Sequence, residues 1–130
     1  MNEAHRQALP EDHGYLWLLA TPPAIWAAHF LLSYVTAAVW CARFAGRDGV
    51  MGGVSTAILW FTVVALGAIA IVGWDAYKRH AHQGQEEAHD RDTPEDRHRF
   101  LGHATFLLAG LSAVATIFSA LAASFFETCQ

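Results

Sequence analysis

Two histidines inside apolar segments are the residues of this sequence that are best placed to do chemistry. His29 lies in the uncharged stretch 14–42, and His103 lies near the start of a later apolar stretch that begins at Phe100. Counted from the same ends of their expected helices, they lie about seven and about four residues deep, so their depths differ by about 5 Å. Two imidazoles at similar depth on different helices are what a haem between helices requires. The sequence therefore makes His29 and His103 candidate ligands of a haem b, and the alternative is that each histidine hydrogen-bonds across helices to hydroxyls or carbonyls.

The only two cysteines, Cys41 and Cys129, are both expected at helix ends on the outer side of a membrane. Disulfides persist in oxidising compartments such as a bacterial periplasm. A bond between these two thiols requires that the first and third helices bring their Cα atoms within about 7 Å. Two separate buried thiols, or metal ligation shared with a partner, are the alternatives.

Further histidines cluster in the long polar segment 75–99. His80 and His82 stand close together, and His89 and His98 follow them. Histidine-rich tracts bind transition metals in some proteins, which makes His80 and His82 candidate metal ligands. A solvated loop whose charge depends on pH is the competing interpretation.

Three long apolar runs must position these residues. A bilayer core of about 30 Å is crossed by about 20 helical residues, and the runs predict transmembrane helices near 22–43, 51–75 and 99–125. Pro22 and Pro23 fit the first turn of the first helix, where a missing N–H has no cost. Residues 14–21 are then an interfacial lead-in.

The expected fold is an all-α integral membrane protein with three transmembrane helices in an up-down-up bundle. Residues 1–21 form a cytoplasmic tail and lead-in. Residues 22–126 form the transmembrane domain, which includes a cytoplasmic loop at 76–98. Residues 127–130 form a short C-terminal tail. Thr93 and Pro94 are expected to cap and begin a short helix that leads into the third span.

Polar side chains recur at helical spacing on two of the spans, and residues three or four positions apart share a helix face. On the first span they are Trp26, His29, Ser33, Thr36 and Trp40. The third span carries a hydroxyl stripe, which we define as Thr105, Ser112, Thr116 and Ser119. Hydroxyls in membrane helices usually bond to their own backbone at packed interfaces, so we expect both faces to contact protein rather than lipid.

The distribution of Lys and Arg predicts the orientation in a bacterial inner membrane. Arg6 and the five basic residues of the segment 75–99 would lie on one side, and only Arg43 and Arg47 on the other. Because cytoplasmic loops hold the excess of positive charge, the N-terminus should be cytoplasmic and the C-terminus periplasmic. The acidic residues of the N-terminal tail are unlike a cleavable signal peptide, so the first helix should remain as an anchor.

Composition limits the classes of function. Of the 130 residues 54% are hydrophobic, and three spans consume more than half of the chain, which leaves no room for a soluble catalytic domain. We therefore expect no enzymatic activity of its own. The net charge of −4 argues against a nucleic-acid partner.

The first span carries the motif Pro23-x-x-Trp26-x-x-His29-Phe30-x-x-x-Tyr34, which runs on to Cys41 and is matched by Cys129 near the end of the chain. In these features the chain resembles small three-span bacterial proteins whose genes accompany haem-copper cytochrome oxidases of the caa3 type. The resemblance implies an accessory or assembly role near a respiratory oxidase and gives no catalytic residues. The motifs of the three-span oxidase subunit IV are not matched.

Three hypotheses of different classes follow. The first is a non-catalytic accessory or assembly subunit of a respiratory complex, a cytochrome c oxidase, whose helices dock on a larger membrane protein. The second is a small electron-transfer protein that binds haem b. The third is a homo-oligomeric pore or carrier lined by the hydroxyl stripe.

Overall fold

The structure, a computed structural model, describes residues 11–45, 52–83, 94–125 and 129. Within these ranges the chain is helical, with three long helices: α1 (Glu11–Trp40), α2 (Gly52–Gln83) and α3 (Pro94–Ser124). A turn of π-helix, Cys41–Ala45, continues α1. Each long helix contains a segment that is long and apolar enough to cross a membrane, namely Leu16–Phe44, Gly52–Arg79 and Arg99–Ser124. The all-α class and the three candidate spans are therefore confirmed.

The start of the first helix differs from the prediction. α1 begins at Glu11 and passes through Pro22 and Pro23 without interruption, so the proposed boundary at Pro22 is wrong. A proline inside a helix removes a backbone hydrogen bond. The carbonyls that lose a donor are those of Leu18 and Leu19. The ring of Pro22 is completely buried, and the preceding Thr21 hydroxyl donates a 2.7 Å hydrogen bond to the Trp17 carbonyl.

The second and third helices also extend beyond their apolar runs. α2 continues past Asp75 to Gln83, and α3 begins at Pro94 as one continuous helix rather than as a short separate one. Charge excludes a segment from the lipid core but does not stop a helix, and exposed pairs four residues apart add to helix stability. Asp75 and Arg79 form such a pair at 2.8 Å. The predicted loop 76–98 is thus partly helical at both ends, while Thr93 lies outside the described residues.

The buried apolar residues lie mainly on α2. Its fully buried positions recur at steps of three and four along one face, a spacing that keeps that face against neighbouring helices. The buried apolar set is Val54, Ile58, Ala65, Ile69 and Ala76 of α2, with Ala109 of α3. α2 is therefore the central packing element by burial, and each of the three helices contacts the other two.

Candidate functional site

The polar face of α1 points into the bundle, as its spacing predicts. His29 is 3% exposed and Ser33 is 9% exposed. Trp26, Thr36 and Trp40, on the same face, are partly buried. Because an imidazole in an apolar interior needs a hydrogen-bond partner, the contacts of His29 define the candidate site.

His29 bonds to Thr62 at the centre of the buried face of α2. The distance between His29 Nε2 and Thr62 Oγ1 is 3.0 Å, and the Thr62 hydroxyl itself donates to the Ile58 carbonyl at 2.7 Å. A hydroxyl has one proton to donate, so the oxygen of Thr62 accepts the proton of His29 Nε2–H. In the neutral ring the lone pair then belongs to Nδ1.

Two buried polar atoms beside this bond have no partner within the described ranges. They are Nδ1 of His29 and the hydroxyl oxygen of Ser33, one helical turn further on. Both atoms are enclosed by the bundle, so they remain buried polar groups at the interface of α1. The site can therefore form hydrogen bonds, and its one nitrogen that could bind a metal is Nδ1 of His29.

The partner of His29 is a hydroxyl on another helix, which is the alternative to haem ligation that the sequence offers. Thr62 belongs to the second helix, which is the most uniformly apolar of the three. The third helix instead offers Ser119, which accepts a 3.4 Å hydrogen bond from Trp26 Nε1. The one signal in the sequence was that Thr62 falls four residues after Ile58, on the apolar stripe that α2 buries.

His103 lies far from His29 along the bundle. Ser119 is at the level of Trp26, one turn before His29, and Ser119 and His103 are separated by 16 residues of continuous helix α3, or about 24 Å. The side chain of His103 is also exposed, whereas that of His29 is buried. Axial ligands must reach the same iron from its two sides, so the structure does not bring His29 and His103 of one chain together as a haem-binding pair.

The hydroxyl stripe of α3 lies inside the bundle. Thr105, Ser112 and Thr116 are at most 5% exposed. Three hydroxyls of the stripe donate to carbonyls one turn earlier in the same helix, at 2.8 Å each: Thr105 to Leu101, Thr116 to Ser112 and Ser119 to Ala115. The prediction that this stripe faces protein is confirmed, and three of its four hydroxyl protons are already donated.

A disulfide joins the predicted pair of cysteines. Cys41 and Cys129 are bonded, with their Cα atoms 5.6 Å apart. Both pack against a small apolar cluster formed by Val54 and Ile58 of α2. The end of α1, the start of α2 and the end of the chain are therefore held at one place.

The histidine-rich segment cannot be assigned a metal. His80 and His82 belong to α2, but their side chains, together with His89 and His98, lie outside the described residues. Among the side chains that the structure does describe, no three histidines, cysteines or carboxylates are grouped so as to hold a metal ion. Metal binding by His80 and His82 stays a prediction.

Comparison with protein-family models, with curated proteins and with solved structures gives no match for this chain. The candidate site must therefore be judged from its own geometry.

The bond between His29 and Thr62 can be measured by a double-mutant cycle of His29→Leu and Thr62→Val. Interhelical hydrogen bonds in membranes are worth about 0.6 kcal/mol on average, so we expect a coupling of about that size in the free energy of unfolding in mixed detergent micelles. Ser33→Ala, which removes a buried hydroxyl that has no partner, is the control and should leave stability unchanged or raise it. Additive effects of the two substitutions would contradict the assigned bond.

Proposed function

We propose that this protein is a non-catalytic subunit or assembly partner of a larger respiratory membrane complex, a cytochrome c oxidase, in a bacterial inner membrane. In this proposal the three helices form an up-down-up transmembrane bundle with a cytoplasmic N-terminus and a periplasmic C-terminus. The bundle docks on the larger protein through α1.

The placement in a membrane is supported by the exposed surface of the helices. Large apolar side chains such as Leu59, Val64, Ile71 and Phe118 are more than 60% exposed. Lipid tails cover such surface without cost. The disulfide at the C-terminal end of α1 supports an oxidising compartment on that side of the membrane. The excess of Lys and Arg near the opposite end of the bundle supports a cytoplasmic N-terminus.

The alternation of helix directions is supported by pairs of contacts. Trp40 lies beside Gly53, near the start of α2, and His29 lies beside Thr62, further along α2. The later residue of α1 meets the earlier residue of α2, so these two helices run antiparallel. Between α2 and α3 the rings of Tyr77 and Phe106 meet at 5.8 Å.

The observation that carries the docking proposal is the phenol of Tyr34. Tyr34 is 65% exposed, and it lies ten residues, or about 15 Å, inside the C-terminal end of the apolar segment Leu16–Phe44. The Cα–Cβ bonds of a helix lean towards its N-terminus, so this side chain is directed towards the midplane rather than the nearer interface. Within the described ranges nothing hydrogen-bonds its hydroxyl, and a hydroxyl in hydrocarbon requires a partner.

The surroundings of Tyr34 fit a protein surface. Trp26, Phe30 and Tyr34 form a row of rings along α1, with successive centroids 6.5 Å apart. Aromatic side chains dominate the energetics of interfaces, and tyrosine adds a polar group that a partner can bind. α1 is also the least covered helix, with 6% of its apolar segment buried against 28% for α2.

The respiratory assignment is supported by the resemblance carried by the same helix. Its motif residues Trp26, Phe30 and Tyr34 form the row of rings, while His29 faces the bundle. The motif thus contains His29, which packs inside the bundle, and the aromatic residues of the proposed docking face.

The two other hypotheses have less support. A haem held within one chain needs a second axial ligand, and no other histidine whose side chain the structure describes lies at the depth of His29. A pore lined by the hydroxyl stripe lacks an exposed stripe, because Thr105, Ser112 and Thr116 are buried, and the hydroxyls of Thr105 and Thr116 donate to carbonyls of their own helix.

Co-isolation of the tagged protein from native membranes tests the proposal. We expect haem-copper oxidase subunits in the eluate, and we expect Tyr34→Phe to weaken the association about fivefold, the value of one hydrogen bond of about 1 kcal/mol. The matched control is Tyr77→Phe, which removes an exposed phenol on α2 and should leave the yield unchanged. Elution of the protein alone, or only as copies of itself, would contradict the proposal.

A further inference from the structure

The interface that holds α1 in the bundle is centred on a side chain that can take up a proton. Among the described side chains of α1, only those of Pro22, His29 and Ser33 are fully buried. His29 and Ser33 lie one turn apart at the middle of the apolar segment Leu16–Phe44. The buried side chains of α2 are mainly apolar, whereas two of the three on α1 are polar. The attachment of α1 therefore depends on the state of one imidazole.

The hydrogen bonds around His29 suit the neutral ring. Nε2–H donates to Thr62 Oγ1 at 3.0 Å, and the proton of Thr62 is committed to the Ile58 carbonyl at 2.7 Å. Nδ1 is buried and has no partner among the described residues. In the neutral ring this atom carries a lone pair, but in the protonated ring it carries an N–H and the ring carries a full positive charge. The Ser33 hydroxyl can rotate to accept that N–H, but it supplies no negative charge.

No opposite charge faces His29 from any of the three helices. The stretches 14–42, 49–74 and 100–126 contain no Asp, Glu, Lys or Arg, and His103 is their only other histidine. On α2 the carboxylate of Asp75 is thirteen residues beyond Thr62, or about 20 Å, and it is paired with Arg79. On α1 the phenol of Tyr34 is exposed on a different face. An unpaired charge inside a membrane bundle is costly, so protonated His29 is incompatible with the packed seam.

We propose that the contact of His29 with Thr62 is pH-sensitive, and that protonation of Nδ1 loosens α1 from α2. The loosened state binds the proton because the charged ring then reaches water or headgroups. A state that binds more protons is favoured as the pH falls, so the stability of the bundle is complete above the ordinary pKa of a histidine, about 6.5, and decreases below it. The disulfide keeps the C-terminal end of α1 attached. The proposal is independent of association with an oxidase.

Unfolding of the full chain by sodium dodecyl sulfate in mixed micelles, at pH 8 and at pH 5, tests the proposal. His29→Gln is the decisive variant, because its amide N–H can donate to Thr62 as Nε2–H does, but the amide does not ionise. Between the two pH values we expect the unfolding equilibrium constant of wild type to rise about thirtyfold more than that of His29→Gln. This factor is the gain from protonating one histidine of ordinary pKa in the unfolded state at pH 5.

His103→Gln is the matched control, since it makes the same chemical change at an exposed side chain of α3. We expect this variant to keep the pH dependence of wild type. Equal pH dependence of wild type and His29→Gln would overturn the proposal, as would a loss of pH dependence in His103→Gln of the same size as in His29→Gln.

Nitrogen-15 NMR of the His29 ring in the wild-type protein gives a second measurement that needs no variant. In the folded bundle at pH 5 we expect Nε2 to carry a proton and Nδ1 to carry none, with free histidine in the same buffer as the protonated reference. A doubly protonated His29 ring in the folded bundle at this pH would overturn the proposal, because the packed seam would then accept the charge.

Discussion

Breaking the bond between Cys41 and Cys129 is expected to lower the free energy of unfolding by about 2 kcal/mol. The bond closes a loop with a sequence separation of 88 residues, and disulfides typically contribute about 2–4 kcal/mol by restricting the unfolded chain. We expect the lower end of this range because helices that remain inserted in a membrane are already restricted in the unfolded state. Unfolding by sodium dodecyl sulfate in mixed micelles, followed by circular dichroism, measures the difference.

Two forms of the broken link separate its covalent effect from packing. Both cysteines contact Val54 and Ile58, so the pair of Cys41→Ala and Cys129→Ala loses some sulfur contacts as well as the bond. Reduced wild-type protein keeps the sulfur atoms and loses only the bond. We expect the free energies of unfolding of the double alanine variant and of reduced wild type to be closer to each other than to that of oxidised wild type. Equal stability of oxidised and reduced wild type would show that the disulfide contributes nothing.

A bulky side chain at position 73 is expected to produce the second large effect. The Cβ of Gly73→Leu would lie 3.3 Å from that of Ala109, and its further carbons require the helices to move apart. Overpacking of this kind costs about 1–3 kcal/mol, and we expect the upper end because α2 is the central packing helix. The same detergent titration measures this loss.

Gly67→Leu provides the matched comparison. It makes the same chemical change on the same helix, but nothing lies within 4 Å of the added Cβ. Leucine also has a higher helix propensity than glycine. We expect this variant to be as stable as wild type or more stable, so equal losses at the two positions would contradict the assigned contact between α2 and α3.

The features that the sequence predicts well are those set by periodicity and composition. The burial of His29 and Ser33 follows from their helical spacing with Trp26, and the inward hydroxyl stripe of α3 follows in the same way. The lengths of the three uncharged segments predict the three candidate spans, because about 20 helical residues are needed to cross the hydrocarbon core of a bilayer. Each of these inferences concerns one helix considered by itself.

The features that the sequence does not predict depend on how the helices align. The depth of His29 was counted from an assumed helix start at Pro22, but α1 begins at Glu11, and the contact of Trp26 with Ser119 sets its true level relative to α3. Spacing shows that His29 needs a partner but not which helix provides it. The close approach of Gly73 and Ala109 likewise joins two residues that are distant in the sequence.

The proposed roles occupy separate surfaces of the bundle. The proposed docking face lies on α1 around Tyr34, whereas the bond between His29 and Thr62 joins the opposite, buried face of α1 to α2. Substitutions on one surface should therefore leave the other activities intact, because distant sites contribute additively.

Photo-crosslinking from position 34 in living cells tests the docking claim most directly. With benzoylphenylalanine in place of Tyr34, we predict a crosslink to a subunit of a haem-copper oxidase, identified by mass spectrometry of the product. The same probe in place of Trp60, which is 66% exposed on α2, is the control and should give no such product. A crosslink from position 34 only to a second copy of this chain, or no protein crosslink from position 34, would contradict the account.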